Sequence, residues 1–288
     1  MDEIALRANG LGFHCLCAGP REAPLVLLLH GWPEGAESWT GQLEALAAAG
    51  LRAVAPDLRG FGGTDCPEGE EAYRLPHLIA DVEGLIDGLG AHSCHLVGHD
   101  WGALVGWSFA SRRAQRVRTW SALSVGHPDA FAEAMLRDED QRLRSSYIGL
   151  LRAVGKAEEV LSADGYARLR NMYTYGPSPD AVPAAVVDRY VASFSRPGRL
   201  TASLNYYRAN LSREARREFP PAPERIQVPS QLVWGDADPA VGRLGVEMTG
   251  AYMAEEYRLI VLEGAGHWLQ FERPDEVSRL LVEWVRAH

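Results

Sequence analysis

The chain has 288 residues, 47% hydrophobic and 23% charged, with a formal net charge of −9 and a pI near 5.5. That is the composition of one large globular domain, or of a domain carrying an insertion, and its acidity without a basic block argues against nucleic acid as a partner. Met1-Asp2-Glu3 lacks the basic start of a secretory signal, and the longest apolar run, Leu25 to Leu29, is too short to span a bilayer. The expectation is therefore a soluble, cytoplasmic protein with no membrane partner.

Cys15 and Cys17 alternate on a predicted strand, so both side chains face one way and are expected to be buried, reduced thiols. With Cys66 and Cys94 they show no metal-ligand spacing. Val26-Leu27-Leu28-Leu29 is a continuous apolar strand ending at His30-Gly31. A helix is predicted from about Ser38 to Ala49, with Gly50 as its C-cap. Arg52 to Ala55 is the next strand, closed by Pro56-Asp57. Leu78, Val82, Leu85, Ile86 and Leu89 then recur at helical spacing. Cys94 to Val97 reads as a short strand, Ala103 to Arg112 as a helix and Val117 to Leu123 as a strand. Such alternation implies a mostly parallel sheet with helices on both faces.

The rhythm then breaks. From His127 to about Arg225 the sequence is helical, rich in tyrosine, arginine and proline, with no buried strand. Within it Arg213, Arg216 and Arg217 are interrupted by Glu214 and Glu218 and read as a solvated helix face. Strand–helix alternation resumes at Ser230 to Trp234, continues through Arg258 to Leu262, and closes with an amphipathic helix from Pro274 to Val285. A long helical insertion between two strands of one sheet suggests a cap, residues 127–225, over a base formed by 1–126 and 226–288.

Gly98-His99-Asp100-Trp101-Gly102 lies between an apolar strand and a helix. Flanking glycines at that junction permit a sharp, strained turn that lifts the central side chain above the sheet, the setting of a nucleophile elbow. An aspartate there could simply cap the helix; the two glycines favour the elbow. A carboxylate nucleophile displaces a leaving group at an sp³ carbon to give an alkyl ester, whereas an acyl substrate would give an anhydride. Asp100 therefore points to epoxides or carbon–halogen bonds.

Partners follow in the order nucleophile, acid, histidine. His267 lies in the loop Gly264-Ala265-Gly266-His267-Trp268 after a strand, and Gly235-Asp236-Ala237-Asp238 follows another. Asp238 is the choice as the acid that orients His267, with Asp236 a turn residue. An oxyanion hole needs main-chain amides, which cannot rotate away; those of Trp101 and Trp32 are the candidates, and Pro33 is a candidate for a cis peptide bond. The segment Asp57 to Thr64 is not a dinucleotide fingerprint; its glycines serve a tight loop that Asp57 holds by hydrogen bonds. His14, His77, His92 and His288 show no constellation, and neither a metal nor a cofactor is indicated.

Taken together, His30-Gly31-Trp32-Pro33-Glu34, Asp57-Leu58-Arg59-Gly60-Phe61-Gly62, Gly98-His99-Asp100-Trp101-Gly102, Gly235-Asp236-Ala237-Asp238 and Gly266-His267-Trp268 resemble the soluble epoxide hydrolases of the α/β-hydrolase fold. The resemblance covers nearly the whole base and marks the aspartate-nucleophile branch. It implies two cap tyrosines that bind and protonate the epoxide oxygen. Leu204-Asn205-Tyr206-Tyr207-Arg208 is similar to the segment around the second and places that role on Tyr207; Ser146-Tyr147-Ile148 resembles the first and places it on Tyr147. After Tyr147 the chain departs from the family pattern, with Gly149, Leu150, Leu151 and Arg152 where aromatics are usual. Tyr166, Tyr173, Tyr175, Tyr190 and Tyr206 compete as ordinary core or surface aromatics.

The expected reaction is conversion of a small apolar epoxide and water to a vicinal diol. Haloalkane and haloacetate dehalogenases share the nucleophile, but the former carry Asn where this chain has Trp32 and the latter Arg where it has Trp101. A ligand-binding protein without turnover is the remaining alternative. Oligomeric state stays open, a homodimer included.

Overall fold

The computed structural model describes residues 1–212, 215, 219 and 225–288. Eight strands form one sheet in the order β1-β2-β4-β3-β5-β6-β7-β8. They are β1 (Asp2–Ala8), β2 (Leu11–Ala18), β3 (Leu25–Leu29), β4 (Arg52–Pro56), β5 (Cys94–His99), β6 (Val117–Leu123), β7 (Ser230–Gly235) and β8 (Tyr257–Leu262). The pairs β1·β2 and β2·β4 are antiparallel and the rest are parallel.

β3 and β5 are buried along their whole length, as expected of parallel strands covered on both faces. Alternate residues of β3 enter opposite layers. Leu25, Leu27 and Leu29 join a core with α2 (Leu75–Gly88) and α3 (Trp101–Arg112), whereas Val26 and Leu28 join one with α1 (Thr40–Ala48) and the terminal helix Pro274–Ala287. Pairing of Leu29 with Gly98 sets the loop after β3 beside the turn after β5.

All the strands and helices expected before residue 127 and after residue 225 are present, with shifted ends. β5 runs on to His99 and α3 begins at Trp101, leaving Asp100 alone at the junction. α2 starts at Leu75 with Pro76 in its first turn, and a 3₁₀ turn, Ala36–Trp39, precedes α1. β1 was not anticipated as a strand. It forms a hairpin with β2 across Asn9 and Gly10, both at positive φ (47° and 78°), the turn that Asn-Gly favours. Cys15 and Cys17 do share a face, but only Cys15 is buried, and burial pushes its thiol up to about 12; Cys17 near the strand end is partly open.

His14 departs from expectation. It sits between Asp57 and Glu3, with Nδ1 2.8 Å from Asp57 Oδ2. Asp57 also accepts the amides of Ala36 and Gly63, each at 2.8 Å, so it fastens its own loop to the loop after β3 as well as to the hairpin. A long-range pairing of this kind has no trace in local sequence.

Between β6 and β7 the chain runs through α4 (Pro128–Arg137), α5 (Glu139–Arg144), α6 (Tyr147–Arg152), α7 (Lys156–Met172), α8 (Ala184–Phe194) and α9 (Arg199–Asn210). α7 is broken at residues 163–166, where Asp164, Gly165 and Tyr166 take positive φ. α9 is fastened to the rest of the fold: Tyr206 Oη donates to Arg59 O at 3.0 Å, Arg199 Nη1 to Phe61 O at 3.0 Å, and Asn210 Nδ2 to Tyr73 O at 2.9 Å. The arginine–glutamate face at Arg213, Glu214, Arg216, Arg217 and Glu218 lies outside the described residues. Among the described residues no helix is long and apolar enough to cross a membrane.

Candidate active site

Asp100 adopts φ +50° and ψ −114° between β5 and α3, a conformation rare for a residue with a Cβ and found where surrounding structure enforces it. The neighbouring glycines are there for space. A Cβ on Gly98 would lie 2.4 Å from Gly102 O, and one on Gly102 would lie 2.1 Å from Leu29 O. Only with both glycines can the helix start this close to β3.

The structure brings Asp100, Asp238 and His267 together. His267 Nδ1 lies 2.8 Å from Asp238 Oδ2, and its Nε2 lies 3.7 Å from Asp100 Oδ2. Asp238 is fully buried, and its other oxygen accepts the amides of Ala240 and Val241 at 2.7 and 3.0 Å. Asp236 faces the other way and accepts the Gly264 amide at 2.7 Å, a turn contact. Trp32 N donates to Asp100 Oδ1 at 2.7 Å, and the Trp32–Pro33 bond is cis. Trp101 begins α3 directly after Asp100 and lines the same cavity.

The electrostatics follow from this packing. Burial pushes the Asp100 carboxyl up, but the hydrogen bond and charge of His267, with the Trp32 amide, outweigh it and hold it below the usual carboxylate range. Burial pushes the His267 imidazole down; Asp238 and Asp100 outweigh that and hold it well above its usual value. The free site is thus a carboxylate facing an imidazolium.

A cavity of about 560 Å³ opens over Asp100, lined among others by Trp101, Tyr147, Tyr207 and His267. Burial raises both tyrosine hydroxyls, and the Asp100 charge raises them further, so both stay protonated at neutral pH. The Tyr207 ring meets Trp32 and Trp101 edge-on at 5.4 and 5.0 Å. Three of the five competing tyrosines point elsewhere: Tyr206 to Arg59 O, Tyr173 to Pro33 O, and Tyr175 into solvent.

Behind Asp100 lies a polar cluster that the sequence did not reveal. Glu34 and His99 are fully buried side chains, with His99 Nδ1 2.8 Å from Glu34 Oε2. Glu34 also accepts from the Gly31 amide at 2.8 Å and from Gln270 Nε2 at 2.6 Å. His99 Nε2 and Ser124 Oγ both donate to the main-chain carbonyl of His267, at 2.9 and 2.8 Å. Glu34 and His99 belong to motifs quoted above, and their lack of any other role was the available signal; Ser124 carried none.

Sheet, elbow and the Asp–His–Asp arrangement define an α/β hydrolase, and the profile of the alpha/beta hydrolase fold matches residues 24–274. The chain belongs to that family. Epoxide hydrolase 4 of Mus musculus is 34% identical over 98% of this chain and 79% of its own length. Epoxide hydrolase A of Mycobacterium tuberculosis is 35% identical over 98% of this chain and 97% of its own. The crystal structure of epoxide hydrolase A from Mycobacterium thermoresistibile superposes with a TM-score of 0.86 at 35% identity, over 99% of this chain and 98% of that one. Within the family, this chain stands among the epoxide hydrolases.

Proposed function

We propose that this chain converts an epoxide and water to a vicinal diol through an alkyl ester on Asp100. The observation that carries the reading is the division of labour at the carboxylate that lines the cavity: Oδ1 is held by the Trp32 amide while Oδ2 lies 3.7 Å from His267 Nε2. The names of its relatives, epoxide hydrolases of bacteria and mammals, point the same way.

In the first half of the reaction Asp100 Oδ2 attacks an oxirane carbon. The ring C–O bond breaks, and Tyr147 and Tyr207 hydrogen-bond the leaving oxygen, one of them giving it a proton. The product is a hydroxyalkyl ester. In the second half His267, oriented by Asp238 and with its own proton first passed to the tyrosinate, takes a proton from water, and the resulting hydroxide adds to the ester carbonyl carbon. The amides of Trp32 and Trp101 stabilise the oxyanion. Collapse expels the diol alkoxide, which takes its proton from His267, and the Asp100 carboxylic acid so formed returns its proton to His267. Residues 127–225 act as a cap over the base 1–126 and 226–288, supplying both tyrosines and shielding the ester from bulk water.

Single turnover in heavy-oxygen water tests the ester route. The first diol released should carry an unlabelled oxygen taken from Asp100, and label in that diol at once would refute it. Diol and halide measured in parallel over an epoxide and a haloalkane panel separate this reading from a dehalogenase.

A further inference from the structure

Ser124 follows β6 and is fully buried, with its backbone at φ +66°. That is the left-handed region, where glycine is at ease and a serine is strained. Its amide donates to Val233 O at 2.8 Å, joining the ends of β6 and β7. Its hydroxyl donates to the carbonyl of His267 at 2.8 Å, 143 residues further along. A glycine would relieve the backbone and could not make that bond.

Three strand ends converge on His267. From β5, His99 Nε2 donates to its carbonyl at 2.9 Å; from β6, Ser124 donates to the same oxygen; from the loop after β7, Asp238 holds Nδ1 at 2.8 Å. Asp238 sets the direction of the ring, whereas the two donors on the carbonyl set where the loop places the residue. The loop is also held by Asp236, which accepts the Gly264 amide at 2.7 Å, and by Glu272, which accepts the amides of Gly266 and Trp268 at 2.8 and 3.0 Å. His99 and Ser124, however, are the donors that reach the carbonyl of His267 itself.

We infer that Ser124 is a positioning residue for ester hydrolysis, an inference that rests on the reading of His267 as the base that activates water. Proton transfer demands close placement, and a displacement of about 1 Å can cost on the order of 10²-fold in rate. Formation of the ester uses Asp100 and the tyrosines, not the base, so Ser124 should matter in the second half only.

Ser124→Gly and Ser124→Ala test this in the intact protein, using rapid-quench single turnover of styrene oxide and mass spectrometry of the Asp100 ester. Both variants remove the hydroxyl, but only Ser124→Gly also relaxes the backbone, so their melting temperatures should differ. The expected result is ester formation within about twofold of wild type and ester decay slowed about tenfold or more in both. In steady state kcat and KM should fall together, leaving kcat/KM nearly unchanged. Unchanged decay in both variants would overturn the inference, as would a loss in Ser124→Ala alone, which would trace to strain. Slowing of both half-reactions alike would also overturn it. Turnover by wild type with no ester on Asp100 would refute the underlying reading, and that arm is read before any variant.

Discussion

The amide of Trp32 donates to Asp100 Oδ1 at 2.7 Å, fixing one oxygen of the carboxylate and leaving the other 3.7 Å from His267 Nε2. Such a donor cannot rotate away, so on the proposed reading of Asp100 as nucleophile the carboxylate is aimed before any substrate enters. On that reading the amide is also already in place for the charge that would develop on that same oxygen when the ester is attacked.

Gly31, just before that amide, should be intolerant of a side chain. A Cβ there would stand 2.5 Å from Asp100 Cβ and 2.8 Å from Oδ1. Gly31→Ala is expected to lower kcat/KM by about 10²-fold through displacement of the nucleophile. Its cost in stability should stay within the roughly 1–3 kcal/mol of an overpacked site. Steady-state kinetics beside urea unfolding measures both.

Phenylalanine at Tyr147 or Tyr207 should slow ester formation by about 10²-fold each, the scale of a lost proton donor. Decay of the ester should change little, because the epoxide oxygen is by then a hydroxyl. Rapid-quench measurement of the two phases distinguishes this from a general disturbance. An enzyme releasing halide instead would be almost indifferent to the change at Tyr207.

The two phases should also differ in their response to pH. Asp100 is held low, and the tyrosine hydroxyls high, so ester formation should be level across the neutral range. Ester hydrolysis needs neutral His267, which Asp238 and Asp100 together hold up against burial. Esterification removes the Asp100 charge, lowering the imidazole and readying it as a base, so hydrolysis should fall as acid reprotonates it. Asp238→Asn should move that acid limb to lower pH, because a raising charge is gone, and reduce the plateau by at least about 10²-fold through loss of orientation. An acid limb in ester formation instead would contradict the assignment.

Arg59 and Asp81 form a buried ion pair, 2.5 Å apart. Arg59→Met should cost about 3–5 kcal/mol in chemical denaturation, since it strands a buried carboxylate. Adding Asp81→Leu should restore much of the loss, the signature of an uncompensated charge and not of lost packing.

The sheet was legible because its signals are local. Apolar runs bounded by Gly or Pro marked β3 to β8, and paired glycines around Asp100 marked the turn whose space they supply. What escaped depends on distance in the chain. His14 meets Asp57, Glu34 meets His99 and Gln270, and Ser124 meets His267, each across a gap that no periodicity spans. Tyr147 and Tyr207 could be separated from five other tyrosines only by resemblance, because burial and direction are properties of the assembled fold.

Tyr206 and Tyr207 stand side by side on α9, about 100° apart around its axis. The first is bonded to Arg59 O and the second lines the cavity with Asp100. One phenol therefore acts as a locating pin that sets the rotational phase of the helix, and the other inherits its aim. Inserting a single residue between Arg199 and Tyr206 would lengthen α9 by one position and leave both tyrosines in the sequence. If the helix start stayed put, both phenols would turn by one step, and the tyrosine needed over Asp100 would face away.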